Sequence, residues 1–360
     1  ASLIQACANT DPVFRQCIPQ IEELIHPPCL KDDPLEEEED MPVPGLVHRY
    51  PDRALVIASS MCAMYCRHCT RKRVAGQRES GITPGRLKRV VQYLEKHPEI
   101  HDVIISGGDP LTLPTASIRN ILAAIRSVPS VDIIRIGTRT PVVLPMRITD
   151  ELAAMLREFH PLFVNTHFNH PVEMTADAAR ACARLVDAGI PVNNQTVLLK
   201  GVNDDPKIIE QLCRLLIRNR VRPYYLFQCD LVRGIEHFRT PLSRGIEIME
   251  YLRGRLSGLA IPTFVVDAPH GGGKIPITPN YIISSSPTHT VLRTNEGMLV
   301  SYPEPQMDGQ IQPPVSIGNV APGVWDLTQG THTKIQPEAT VRNARRLENE
   351  SDLRSDMVAK

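Results

Sequence analysis

From residue 54 onward, apolar β-rich runs alternate with stretches of helical period. The runs cover 54–58, 102–106, 132–137, 162–168, 192–199, 224–230 and 263–268, and each reads as a strand. The clearest helix between them has Asp205 as N-cap and Pro206 in its first position. Ile208, Leu212, Leu215 and Leu216 then recur at i, i+4, i+7 and i+8. Thr149 followed by Asp150 and Glu151 opens a second helix, with acid where the helix dipole favours it. A third is expected over 242–256. Six or seven such βα units predict a parallel α/β sheet, because each helix carries the chain back for the next strand. The count falls short of eight, so a partial (β/α)6 barrel is expected, with an open doubly wound sheet as the runner-up. In both architectures the chemistry belongs at the C-terminal ends of the strands.

The flanks differ from this core. Residues 1–53 form a mixed helical and irregular N-terminal segment, and 54–286 the barrel. Residues 287–360 form a C-terminal extension. There a hairpin over 291–300 turns at Thr294, Asn295, Glu296 and Gly297, and the Pro-containing stretch 303–324 and charged end 340–360 read as a tail. The acidic run 31–40 reads as a solvated linker.

Composition narrows the class. The 360 residues hold 40 Lys+Arg and 40 Asp+Glu, a balance that argues against a nucleic-acid or anionic-membrane footprint. With 42% hydrophobic and 22% charged residues, the chain is globular rather than disordered. No apolar run approaches the ~20 residues of a membrane span. The opening Ala1, Ser2 and Leu3 precede nothing like a secretory signal, so a cytoplasmic protein is expected. The nine cysteines are odd in number and spread along a long chain, unlike a secreted disulfide scaffold. Six are scattered singly and read as small buried hydrophobes.

The other three carry chemistry. Cys62, Cys66 and Cys69 follow the first strand with CxxxCxxC spacing, and thiolates so placed can converge on a soft metal centre. A structural zinc would want a fourth ligand, for which His68 is the local candidate. A structural iron–sulfur cluster would usually want four cysteines, whereas three leave one iron open for chemistry. The second strand ends in Ser106, Gly107, Gly108 and Asp109. Its glycines permit close backbone approach, and its acid could match an ammonium. Lys274 follows three glycines at the end of the last strand. A phosphate-binding P-loop would need Gly at 268 and Ser or Thr at 275, where Ala268 and Ile275 stand. A lysine on a glycine loop suits a Schiff base instead, as pyridoxal phosphate forms. Arg49, Tyr50 and Arg53, before the first strand, offer guanidiniums and a phenol to a phosphate.

Together these motifs resemble the lysine 2,3-aminomutase family, pyridoxal-phosphate-dependent enzymes of the radical S-adenosylmethionine (SAM) type. The likeness spans about residues 10–305. It includes the blocks 42–53, 61–73, 106–109, 139–145, 165–170, 194–195, 224–230, 237–240 and 267–274. The resemblance implies a six-unit partial barrel and an enzyme that interconverts L-α-lysine and L-β-lysine by 1,2-amino migration. By position, Cys62, Cys66 and Cys69 would bind a 4Fe-4S cluster. Gly107, Gly108, Asp109, His167 and Gln195 would lie near S-adenosyl-L-methionine. Arg49, Tyr50 and Arg53 would hold pyridoxal 5'-phosphate on Lys274. Arg71 would receive the substrate carboxylate, and Asp230 with Asp267 its distal ammonium. Two carboxylates sharing a site repel one another, and a bound ammonium relieves that repulsion. Lysine is thus favoured over glutamate, with arginine or another diamino acid as nearer rivals. A metalloprotein without pyridoxal phosphate is the alternative of a different class. A flavodoxin- or ferredoxin-like electron donor and a homo-oligomer are implied as well. The structural zinc of bacterial relatives lacks ligands here: no cysteine follows Cys229, and the barrel position holds Asp205. His270 and Phe227 also depart from common family residues.

Overall fold

The computed structural model describes residues 3–4, 10–76, 80–285 and 289–305. The chain divides into two compact units, 1–278 and 279–360. The first begins with α1 (Pro12–Cys17), whose N-cap Asp11 accepts from the N–H groups of Val13 and Phe14. A hairpin, β1 (Leu46–Tyr50) and β2 (Arg53–Ser59), leads into the repeat. The next strands are β3 (Asp102–Gly107), β4 (Ile133–Gly137), β5 (Leu162–Thr166), β6 (Val192–Leu198), β7 (Arg222–Gln228), β8 (Thr263–Ala268) and β9 (Gly273–Pro276). Helices α2 (Pro84–Lys96), α3 (Thr115–Arg126), α4 (Thr140–Val143), α5 (Asp150–Arg157), α6 (Ala176–Asp187), α7 (Pro206–Arg218) and α8 (Leu242–Arg253) lie between them.

The nine strands lie side by side in chain order. Strands β2 to β8 pair in parallel, while β1 and β9 run antiparallel at the two edges. An order without a switch point excludes the doubly wound alternative. The partial barrel expected from the sequence is the architecture found, with one reversed strand added at each edge. Both added strands are short and escape a periodicity reading.

Local chemistry follows the expected rules, with one shift. Asp205 caps α7 by accepting the Lys207 N–H, and Thr149 caps α5 by accepting that of Leu152. The stripe of α7 that is buried is Ile209, Leu212, Cys213 and Leu216, so Ile208 and Leu215 only flank it. In β2, β3 and β4, fully buried residues alternate with half-buried ones. Val56, Val103 and Ile134 belong to the core shared with the helices. The alternate residues, such as Leu55, Ile104 and Arg135, line a cavity inside the sheet's curve. The barrel is therefore hollow and partly polar at its centre.

The acidic run 31–40 is not a solvated linker. Glu37 and Asp40 are only 4% and 3% exposed, because arginines from distant parts of the chain neutralise them.

The second unit contains a three-stranded antiparallel sheet, β10 (Ile282–Ser285), β11 (His289–Arg293) and β12 (Leu299–Pro303). The expected hairpin is β11–β12, with Arg293 opposite Leu299. Its turn places Gly297 at φ +84°, a left-handed conformation that favours glycine. The tail expected over 303–324 and 340–360 lies outside the described residues from 306 onward. No helix among the described residues is long and apolar enough to cross a membrane.

Candidate active site

A cavity of about 600 Å³ occupies the barrel interior. Arg49, Tyr50, Arg53, Arg71, His167, Gln195, Asp230, Asp267 and Lys274 all line it, so nine residues singled out in the sequence meet there.

At one end the hairpin β8–β9 sets Lys274 directly opposite Asp267. Gly271 and Gly272 belong to the turn of this hairpin, Gly273 opens the returning strand, and Lys274 is its second residue. Its Nζ donates to both Asp267 oxygens, at 2.9 and 2.8 Å. It also sits 4.3 Å from the centre of the Phe227 ring, within cation–π range. The Tyr50 hydroxyl accepts the Lys274 backbone N–H at 2.9 Å, joining β1 to β9. The Arg53 guanidinium lies over the Tyr50 ring at 4.3 Å. Asp230 completes this end. Burial and the charge of Asp267 push its carboxyl up to about 7, against the opposing pull of Lys274 and Arg49.

The other end is built around Arg71. Its Nε and Nη2 donate to the Glu37 carboxylate at 2.6–3.1 Å, and its Nη1 reaches the Ser106 Oγ at 3.4 Å. Burial would raise the Glu37 carboxyl, yet Arg71 and Arg73 together hold it down to about 2. Arg49 is bound in a similar way, by Asp40 at 3.1 Å and by the Leu35 carbonyl. Sequence reasoning missed Glu37, and named Ser106 only as part of the strand-end motif. The available signal was the match between an acidic run at 32–40 and a basic one at 67–73.

The cysteine loop follows β2. Arg139 Nη1 donates to Cys66 Sγ at 2.8 Å, and the Arg71 backbone N–H reaches Cys69 Sγ at 3.3 Å. Among the described residues no group of three His, Cys, Asp or Glu side chains is gathered as a metal shell. The structure thus places Cys62, Cys66 and Cys69 on one loop without closing them on a common centre. Arg139, to which sequence reasoning gave no role, is 8% exposed and also bonds Glu173, Gln16 and the His167 carbonyl. Its place just after β4, where barrel chemistry concentrates, was the signal. Burial lowers the Arg139 pKa, but Cys66 and Glu173 more than offset this and leave it raised.

Gly107 and Gly108 pack against the chain entering that loop. The Gly108 and Asp109 N–H groups donate to the carbonyls of Ser59 and Met61 at 2.5 and 2.6 Å. A Cβ on either glycine would lie 2.4 Å from one of the same two oxygens, which only glycine avoids. The Asp109 carboxylate is buried and accepts from the Thr138 hydroxyl and the N–H groups of Leu111 and Arg139. It thereby holds Arg139 in place instead of facing the cavity. His167 donates through Nδ1 to the Gln195 carbonyl, 3.1 Å away. Burial and the nearby Arg139 push its pKa down to about 4, so the ring is neutral at pH 7.

The remaining cysteines fit the buried-hydrophobe expectation only in part. Cys182, Cys213 and Cys229 are buried with thiols pushed up by burial, Cys17 is half-buried and Cys29 exposed. Cys7 lies outside the described residues.

Residues 56–212 match the model of the radical SAM superfamily, and 249–360 match that of lysine-2,3-aminomutase. The L-lysine 2,3-aminomutase of Fusobacterium nucleatum subsp. nucleatum is 48% identical over 96% of this chain and 82% of its own. That of Clostridium subterminale is 52% identical over 84% of this chain and 73% of its own. The chain belongs to the lysine 2,3-aminomutase family. A glutamate 2,3-aminomutase of Clostridioides difficile is also similar, at 46% over 77% of this chain and 66% of its own.

Membership of the radical SAM superfamily brings S-adenosylmethionine and a 4Fe-4S cluster to this family. The donor set here fits them: three soft thiols on one loop at a strand end, beside a hollow barrel. Buried His68, between two of the cysteines, faces the same cavity with its Nδ1 lacking a hydrogen-bond partner.

Proposed function

We propose that the protein is a radical SAM aminomutase that interconverts L-α-lysine and L-β-lysine and uses pyridoxal phosphate. The observation that carries the substrate is the charge layout of one cavity: Arg71 lines it, as do Asp267, paired with the Lys274 ammonium, and Asp230, which feels the charges of both. In this reading Cys62, Cys66 and Cys69 hold the cluster, with Gly107, Gly108 and Asp109 shaping the loop's footing. His167 and Gln195 line the S-adenosylmethionine side, and Arg49, Tyr50 and Arg53 the phosphate side. Lys274, Arg49, Tyr50 and Arg53 would hold pyridoxal phosphate, which would supply a covalent carrier for the migrating nitrogen and a sink for electron density. The protein's own residues do the positioning. Arg71 takes the substrate carboxylate, Asp230 and Asp267 take the distal ammonium, and the barrel wall excludes water.

The present partner of Asp267 supports this division. Lys274 presents an ammonium to it in the manner expected of a substrate side chain. Were the Lys274 nitrogen bound to the cofactor, it would no longer be the ammonium paired with Asp267, and Asp267 would be open to a substrate cation. A flavodoxin- or ferredoxin-type donor, a homo-oligomer and a reducing cytosol belong to the same reading.

The test is an anaerobic assay with reconstituted cluster, S-adenosylmethionine, pyridoxal phosphate and reductant, across lysine, arginine, ornithine and glutamate. β-Lysine from lysine is the expected product, and product from glutamate alone would overturn the assignment. Borohydride reduction and peptide mapping should find a pyridoxyl group on Lys274. Its absence there would remove the cofactor from the proposal.

A further inference from the structure

We propose that Glu37 is a positioning residue for the substrate carboxylate, fixing Arg71 so that one edge of its guanidinium is turned to the cavity. This rests on Arg71 receiving that carboxylate, as set out above. A guanidinium carries five N–H donors in a planar fork with two edges that can each meet a carboxylate. Glu37 occupies the Nε–Nη2 edge, with contacts of 3.0, 3.1 and 2.6 Å. The Nη1 end remains, and it points to Ser106. Arg71, Glu37 and Ser106 all line the cavity, so the remaining edge borders the space a ligand would fill.

Glu37 is itself held. Its Oε2 accepts from Arg73 Nη2 at 3.1 Å, and Arg73 also pairs with Asp33 and Glu38. Glu37 and Arg73 thus brace Arg71 from one side, with Asp33 and Glu38 balancing the charge of Arg73. Glu37 can orient Arg71 through the Nε–Nη2 edge and leave the Nη1 donors for an anion. An arginine on a flexible stem loses side-chain entropy when it binds a ligand, and a partner that has already fixed it removes part of that cost. The acidic segment 33–40 thus supplies part of the substrate site from outside the barrel.

The experiment compares two ligands of the reconstituted holoenzyme, L-lysine and pentane-1,5-diamine, which is lysine without its carboxylate. Glu37→Gln is expected to weaken lysine binding on the order of tenfold, about 1.4 kcal/mol. It should leave diamine binding unchanged within about twofold, and raise KM for lysine more than it lowers kcat. Glu37→Asp, which keeps the charge on a shorter stem, should show a smaller loss confined to lysine. Equal losses for both ligands would mean a merely structural role and would overturn the proposal, as would unchanged lysine binding. If Glu37→Gln does not fold, the same comparison in Glu37→Asp decides. Wild-type protein that binds neither ligand would instead sink the substrate assignment, and this inference with it.

Discussion

At the Arg71 end of the cavity one carboxylate, Glu37, meets two guanidiniums, whereas at the Lys274 end one carboxylate, Asp267, pairs with the ammonium while a second, Asp230, feels the charge of both. The protonation behaviour of the two ends follows from that count. Glu37 is held at about 2 although burial opposes its charge, because two cations more than offset the desolvation. Asp230 is pushed up to about 7 because its neighbour's charge adds to desolvation, with Lys274 and Arg49 only partly compensating. One end has guanidinium donors of Arg71 left over for an anion, and the other has a carboxylate beyond its one ammonium for a cation. A small zwitterion with a second amine satisfies both, which explains how a chain of zero formal net charge can still discriminate by charge.

The most damaging way to disturb this contrast is at the lysine end. Asp267→Asn should lower kcat/KM for lysine on the order of 100-fold, as loss of a buried charge partner commonly does. The pyridoxal phosphate absorbance should remain, and unchanged lysine kinetics would refute the assigned role.

A pH series on Asp230 probes the same end with a smaller effect. Its carboxyl rises from 3.8 to about 7 on folding, so between those values the native state keeps a proton that the unfolded chain has lost. Stability from this group therefore falls as pH rises across that window. Without bound cofactors or substrate, Asp230→Asn should melt above wild type at about pH 8 and coincide with it near pH 4. In the holoenzyme, KM for lysine should fall as pH rises through about 7, as the carboxylate appears, and Asp230→Asn should flatten that trend. A wild-type profile without that fall would break the contrast.

The mildest change is Arg73→Gln. Arg73 is the second partner of Glu37 and has Asp33 and Glu38 besides. KM for lysine should move by less than about threefold, as is usual for a group one contact removed from the ligand. A larger shift would make Arg73, rather than Arg71, the arginine that matters.

Much of this arrangement was legible in the sequence, and the illegible parts share a cause. Strands β2 to β8 announce themselves through local periodicity, and Lys274, Asp230 and Asp267 through their places near strand ends. Glu37 could not be read this way, because its partners stand 34 and 36 residues along the chain. A run of acids looks solvated until the fold supplies its arginines. Asp109 shows the converse. A strand-end acid after two glycines looked open to an ammonium, but the hydroxyl of Thr138 and the N–H of Arg139 come to it from the neighbouring strand's end. Arg135 and Asp102, paired at 2.7 Å, likewise depend on which face of a strand turns toward the hollow.

The hydrogen bond from the Lys274 backbone to the Tyr50 hydroxyl connects the first strand of the sheet to the ninth. No ladder among the described residues pairs those two strands. The wall is therefore shut at this seam by a side chain, and a single such bond contributes only about 1 kcal/mol. A barrel zipped all round would have to break a row of bonds to widen. The same contact makes the phenol a mechanical gauge: a shift in the hairpin that carries Arg49 and Arg53 is passed directly to the backbone beneath the reactive amine.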